Sequence, residues 1–145
     1  MKVLLQRVKN ASVTIDNELF SSINHGLLLF LGVEKNDGIE QADWLVEKIL
    51  KLRIFEDENE KMNLSVTDTN GEILVVSQFT LAGDCKKGTR PSFDSAKAPN
   101  EAKEIYEYFV SKLKNSDLNI QTGVFGAMMD VALINDGPVT FMLEK

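Results

Sequence analysis

Apolar positions change their spacing along this chain, and each spacing implies a backbone form. In "ASVTI" (Ala11–Ile15) apolar and polar residues alternate, the mark of a strand with one buried face. "KVLLQRV" (Lys2–Val8) reads as a separate strand before it, and "ELFSSI" (Glu18–Ile23) as another after it. "NHG" (Asn24–Gly26) has turn chemistry. "LLLFLGV" (Leu27–Val33) is a continuous apolar run, as expected of a strand covered on both faces. After "KNDG" (Lys35–Gly38) the period becomes helical. Ile39, Ala42, Val46, Ile49 and Leu50 form one stripe, with Leu45 beside it. Trp44 points away from that stripe, which leaves two readings for it: partial burial under a loop, or a subunit contact.

The second half continues the mixture. "RIF" (Arg53–Phe55) predicts a short strand before the polar loop "EDENEKMN", and "EILVVSQFTL" (Glu72–Leu81) a buried strand that runs into a polar end. Residues 82–98 predict a long irregular loop. Pro99 suits the first turn of a helix, whose buried stripe is Ala102, Ile105, Tyr106, Phe109, Val110 and Leu113. From Ile120 to Leu143 the pattern predicts strands joined by a hairpin at "NDGP" (Asn135–Pro138), because Asp-Gly between apolar runs favours a tight turn. Pro138 sits awkwardly there, since it has no N–H to offer a returning strand. Strands, helix, strands, helix, strands together predict a mixed α/β domain with much antiparallel pairing and helices on one side.

Composition changes this picture little. A chain of 145 residues predicts one compact domain, residues 1–145. The lone cysteine, Cys85, excludes an internal disulfide and fits a reducing compartment. The opening "MKVLLQRVKN" is too short an apolar run for a secretion signal or a membrane span, so a cytoplasmic protein is expected. A net charge of −6 speaks against an overall basic nucleic-acid binder but leaves local patches open.

The candidate chemistry is reached by elimination. His25 is the only histidine and lies in the turn, where a histidine without a chemical role is the plainer reading. No His/Cys cluster with zinc spacing exists, and no phosphate-binding glycine loop or G-x-S-x-G elbow. Two stretches remain. "SQFTL" brings Ser77, Gln78 and Thr80 together at a strand end with Phe79; either it is a site or a strand that simply ends polar. "CKKGTRPSF" places Lys86, Lys87 and Arg90 in one glycine-containing loop, either a solvated charged loop or a phosphate-contacting arm, with Asp84 and Asp94 weakening the second reading.

The motifs taken together resemble one family. "LLQRVKNASV", "GLLLFLGV", "RIFEDENEKMNLSV", "SQFTL", "RPSF", "QTGVFGAMM" and "NDGPVTF" resemble D-aminoacyl-tRNA deacylase along essentially the whole chain. The resemblance implies a barrel-like core of largely antiparallel β-sheet with two main helices on one side, in three layers. It implies a homodimer that hydrolyses the ester joining a D-amino acid, or glycine, to the 3′-terminal adenosine of tRNA, and leaves L-aminoacyl-tRNA intact. No metal and no other cofactor is implied. Backbone N–H groups of Phe79 and Thr80 would stabilise the oxyanion, with Ser77 and Gln78 shaping the site. Water attack would be assisted by the substrate's own 2′-OH, since Thr80 has no visible base. Gly137–Pro138, as a Gly-cisPro pair inserted into the neighbouring subunit, would exclude the L enantiomer. Arg7 would hold that pair, although a buried strand arginine paired to a carboxylate is the plain alternative. Lys86, Lys87 and Arg90 would contact tRNA. Two other readings stay open: a nucleic-acid-binding module without catalysis, and a hydrolase of small D-amino-acid esters that never meets tRNA.

Overall fold

The computed structural model describes residues 1–145. Its organising element is β1 (Lys2–Ile15), which pairs on both sides along its length. On one side its first half meets β3 (Gly26–Gly32), from Lys2↔Gly32 to Val8↔Gly26, and its second half meets β2 (Glu18–Ile23). The other side is lined throughout by β8 (Asp130–Glu144). All three pairings are antiparallel. β6 (Glu72–Ser77) joins β3 in parallel, and β7 (Ile120–Thr122) joins β6 in parallel. Parallel neighbours need long crossovers. α1 (Ile39–Lys51) lies within the first crossover and α2 (Pro99–Lys114) within the second, and the two pack together. The result is the mixed, nearly closed barrel-like sheet with two helices that the motifs implied. β4 (Phe55–Glu56) and β5 (Met62–Leu64) form a separate small ribbon.

Two cores explain the apolar patterns. Leu27, Leu29 and Leu31, with Ile73 and Val75, face the helices. Leu28, Leu74 and Val76 face a second core, shared with Val8, Ala11 and Val13. The unbroken apolar run of β3 is therefore a strand buried on both faces, as expected. Four expectations need correction. "KVLLQRV" and "ASVTI" are one strand, not two: β1 advances two residues, Val8 to Asn10, while β8 advances one, Asn135 to Ile134. This bulge at Lys9 shifts the side-chain parity, so alternation restarts without any break in the strand. "RIF" is not a strand up to Phe55; pairing begins at Phe55, while the Arg53 guanidinium is tied to the Asn63 carbonyl and side-chain oxygens, each at 2.6 Å. The α1 stripe centres on Ala42, Leu45, Val46 and Ile49, and Ile39, at the helix's first position, is exposed. Trp44 is partly exposed, with the Lys145 ammonium 5.4 Å from its ring centre.

The fourth correction is the hairpin at "NDGP", which does not form. β8 runs through it, because β1 offers pairing partners on both sides of the motif. Asn135 pairs with Val8 and Thr140 with Gln6, so Asp136, Gly137, Pro138 and Val139 all stand opposite Arg7 alone. Pro138 needs no ladder N–H in such a bulge. The Gly137–Pro138 peptide bond is cis.

Candidate active site

β6 stops earlier than its sequence predicts, and the stop creates the candidate site. β7 pairs only as far as Val75, and β3 ends at Gly32. The Gln78 N–H makes the last rung, donating to the Leu31 carbonyl at 2.8 Å. The chain then turns sharply, and Phe79–Ala82 is a 3₁₀ turn rather than a strand end. Gly32 permits this turn: a Cβ there would stand 2.9 Å from Leu81 Cβ and 3.0 Å from the Gln78 carbonyl. The first N–H groups of such a turn have no partner within it. Those of Phe79 and Thr80 donate to nothing in the protein.

The side chains around these two donors are organised. The Gln78 amide donates to Thr80 Oγ at 2.6 Å. Phe79 is well exposed and packs against Phe93, ring centres 5.0 Å apart. Beside them opens a mostly apolar cavity of about 640 Å³, bordered by Ser77, Gln78, Phe79, Phe93, Phe125 and Met128. Its titratable lining groups are Lys97 and Tyr106. Tyr106 donates to the Val75 carbonyl at 2.9 Å, and burial pushes its phenol well above the usual range. Lys97 donates to the Lys35 carbonyl at 2.7 Å. No carboxylate or imidazole borders the cavity to serve as a general base there.

Arg7 is almost wholly buried and acts as a hub. Its Nη1 donates to the Ile54 carbonyl at 2.6 Å, and its Nε to the Asp136 carbonyl at 3.2 Å. It also pairs with two carboxylates, Asp136 at 2.9 Å and Glu56 at 3.5 Å. The plain reading of Arg7, a buried strand arginine paired to a carboxylate, matches this geometry, and one of its two carboxylates adjoins Gly137. His25, expected to have no role, lies 3.5 Å from the same Asp136 oxygen.

The chain gathers the expected residues into two groups. Ser77, Gln78, Phe79 and Thr80 are together at one end of β3; Arg7, Gly137 and Pro138 are together at the other. Val3 pairs beside Leu31 and Arg7 beside Leu27, so four strand residues, roughly 13 Å, separate the groups within one chain. Lys86, Lys87 and Arg90 are exposed in a loop closed by the Asp84–Ser92 bridge, and Phe93 at its foot packs on Phe79. Exposed Cys85 shares that loop. The cavity walls Phe125, Met128 and Tyr106 had no site reading from the residues alone. Tyr106 looked like any helix-stripe residue, and "QTGVFGAMM" entered only as part of the family resemblance.

Two orphan backbone donors beside a cavity fit acyl transfer, the chemistry of a hydrolase. A family model described as D-Tyr-tRNA(Tyr) deacylase matches residues 4–144. A D-aminoacyl-tRNA deacylase of Geotalea uraniireducens is 56% identical over 99% of this chain and 93% of its own. One from an Exiguobacterium species is 57% identical over 100% and 99%. A solved structure of a protein named c-Myc DNA Unwinding Element Binding Protein is 43% identical, with a TM-score of 0.94 over 100% of this chain and 99% of its own. The chain belongs to the D-Tyr-tRNA(Tyr) deacylase family.

Proposed function

We propose that this hydrolase removes D-amino acids, and glycine, from the 3′-terminal adenosine of tRNA and spares the L-aminoacyl ester. The observation that carries the chemistry is the pair of unpartnered N–H groups at Phe79 and Thr80. Ester hydrolysis builds negative charge on the carbonyl oxygen, and fixed donors aimed at that charge lower the barrier. Thr80 Oγ is engaged by Gln78 and no carboxylate or imidazole borders the cavity, which supports attack by water rather than by Thr80. The substrate's own 2′-OH then assists the water. Ser77 and Gln78 hold the strand end in shape, and the apolar cavity offers room for the terminal base or its amino acid.

The chirality element comes from a second copy of the chain. Within one chain Gly137–Pro138 lies about 13 Å along the strand from the donors, too far to touch the same α-carbon. Both residues are exposed, so they are free to enter a neighbour's cavity. A homodimer is also supported by β8, which pairs only with β1 and exposes Ile134, Phe141 and Met142. In that dimer Gly137–Pro138 is a wall that an L side chain strikes, and steric exclusion discriminates better than a fitted pocket. Arg7 holds the wall through Asp136. Lys86, Lys87 and Arg90 meet tRNA phosphates beside the site, which makes the affinity salt-dependent. The substrate class puts the activity in the cytoplasm.

A second reading, binding without hydrolysis, draws on the same exposed basic loop and on the DNA-binding name of the 43% identical relative. Incubation with D-tyrosyl-tRNA and L-tyrosyl-tRNA separates them. Release of D-tyrosine with L-tyrosyl-tRNA intact is expected. Equal rates refute the chiral editor, and no release with retained tRNA binding favours the binder. Cleavage of a free D-tyrosine ester but not of D-tyrosyl-tRNA favours a small-ester hydrolase.

A further inference from the structure

The four-residue bulge at Asp136–Val139 has many possible backbone paths, and ties at its ends select one. One guanidinium holds Asp136 twice: Arg7 Nε donates to its carbonyl at 3.2 Å and lies 2.9 Å from its carboxylate. Arg7 cannot swing, because its Nη1 is fixed on the Ile54 carbonyl at 2.6 Å. From the solvent side His25 Nε2 stands 3.5 Å from the same carboxylate oxygen, its ring edge-on to buried Phe55. The Asn135 amide closes the other flank, donating to the Arg7 carbonyl at 2.9 Å and the Val139 carbonyl at 3.2 Å. Val139 is fully buried. Gly137 and Pro138 therefore project from a frame fixed on both sides, and Asp136 is its last tied residue before them.

We propose that Asp136 is the positioning residue that sets where Gly137 and Pro138 stand, with His25 as its outer brace, and thereby governs discrimination between D and L substrates. This rests on the editing activity proposed above. Asp136 touches no reacting atom and acts through the two residues that follow it. The carbonyl that Arg7 holds belongs to the peptide group joining Asp136 to Gly137, so rotation at Asp136 moves Gly137 directly. A loosened wall admits L substrates before it harms D substrates, because the donors at Phe79 and Thr80 belong to another part of the fold.

The test compares Asp136→Asn and His25→Ala with the parent protein on D-tyrosyl-tRNA and L-tyrosyl-tRNA, with thermal midpoints measured alongside. Asp136→Asn keeps the side chain's shape and removes its charge. It should lower the D/L ratio of kcat/KM by about tenfold, the lower end of what one charge-assisted hydrogen bond supplies, through faster L cleavage. His25→Ala should lower the ratio by roughly threefold, as befits a half-exposed polar contact at 3.5 Å. An unchanged ratio in Asp136→Asn overturns the proposal. So does a parallel fall in both rates, which would make Asp136 part of the chemistry or of folding. A parent protein that releases no D-tyrosine refutes the editing activity itself, and that result is visible before any variant is made.

Discussion

Replacing Arg7 by Met tests the hub that joins β1, the β4 approach and the bulge. Met keeps most of the apolar stem and removes every donor. The Ile54 carbonyl is buried, and Arg7 is its only hydrogen-bond partner. Leaving such a carbonyl unpaired costs about 1–3 kcal/mol. Asp136 loses its 2.9 Å partner as well, but its carboxylate is a quarter exposed and turns partly to water. Breaking a fully buried ion pair costs roughly 3–5 kcal/mol, and partial exposure moves this case to the low end, about 3 kcal/mol. At this chain length each kcal/mol shifts the thermal midpoint by about 3 °C, which gives a loss of roughly 9 °C. Circular dichroism melts at fixed protein concentration measure it. Arg7→Lys should recover at most about half of the loss, because an ammonium cannot span the carbonyl and the carboxylate together. A loss under about 3 °C for Arg7→Met refutes the reasoning, for it would mean that the Ile54 carbonyl was never desolvated.

Gly26→Ala should leave no soluble folded protein, since its Cβ would lie 1.9 Å from the Glu72 carbonyl oxygen on the adjoining strand; expression and solubility compared with a Gly88→Ala control, where nothing lies within 4 Å and only the left-handed backbone is strained, check this. Thr80→Ala should keep kcat/KM for D-tyrosyl-tRNA within about tenfold of the parent, whereas loss of a true nucleophile costs on the order of 10⁴-fold or more; abolished turnover with intact tRNA binding would restore Thr80 as the attacking group. Asp57 and Asp68 have carboxyls held below the usual aspartate value, Asp57 first by the Asn63 amide and Asp68 first by the Ser65 backbone N–H. A group with a lowered folded pKa adds stability above its unfolded value and loses it as pH falls through the folded one. Urea midpoints should therefore fall on acidification below about pH 4, and should fall less in Asp57→Asn/Asp68→Asn.

Much of this molecule is legible from local pattern. The double burial of Leu27–Leu31 shows as an unbroken apolar run, because a strand with cores on both faces has no polar side to alternate. The α2 stripe and its Pro99 start show because 3.6-residue spacing and a proline at the first turn are local properties. Ser77–Thr80 was visible as a polar cluster at a strand end, though its 3₁₀ turn was not. Pairing partners for residues beyond Ser77 run out only because β7 stops pairing at Val75 and β3 ends at Gly32, and neither fact lies in "SQFTL" itself.

"NDGPVTF" marks the boundary most clearly. By local chemistry Asp-Gly is a hairpin, and the turn preference of those residues is real. The long template of β1 overrides it, since pairing on both sides of the motif keeps β8 in one strand and turns the expected hairpin into a bulge opposite Arg7. His25 met Asp136 for the same reason: residues 111 apart in the sequence become neighbours only when β3 and β8 both pair with β1. The sequence by itself determined most element types and the centres of the two helical stripes, because these follow from side-chain spacing and type. The tertiary structure alone decided which strands were continuous, where β6 ended, and that the donors and Gly137–Pro138 stand at opposite ends of β3, because pairing is a contest among distant segments for the same edges.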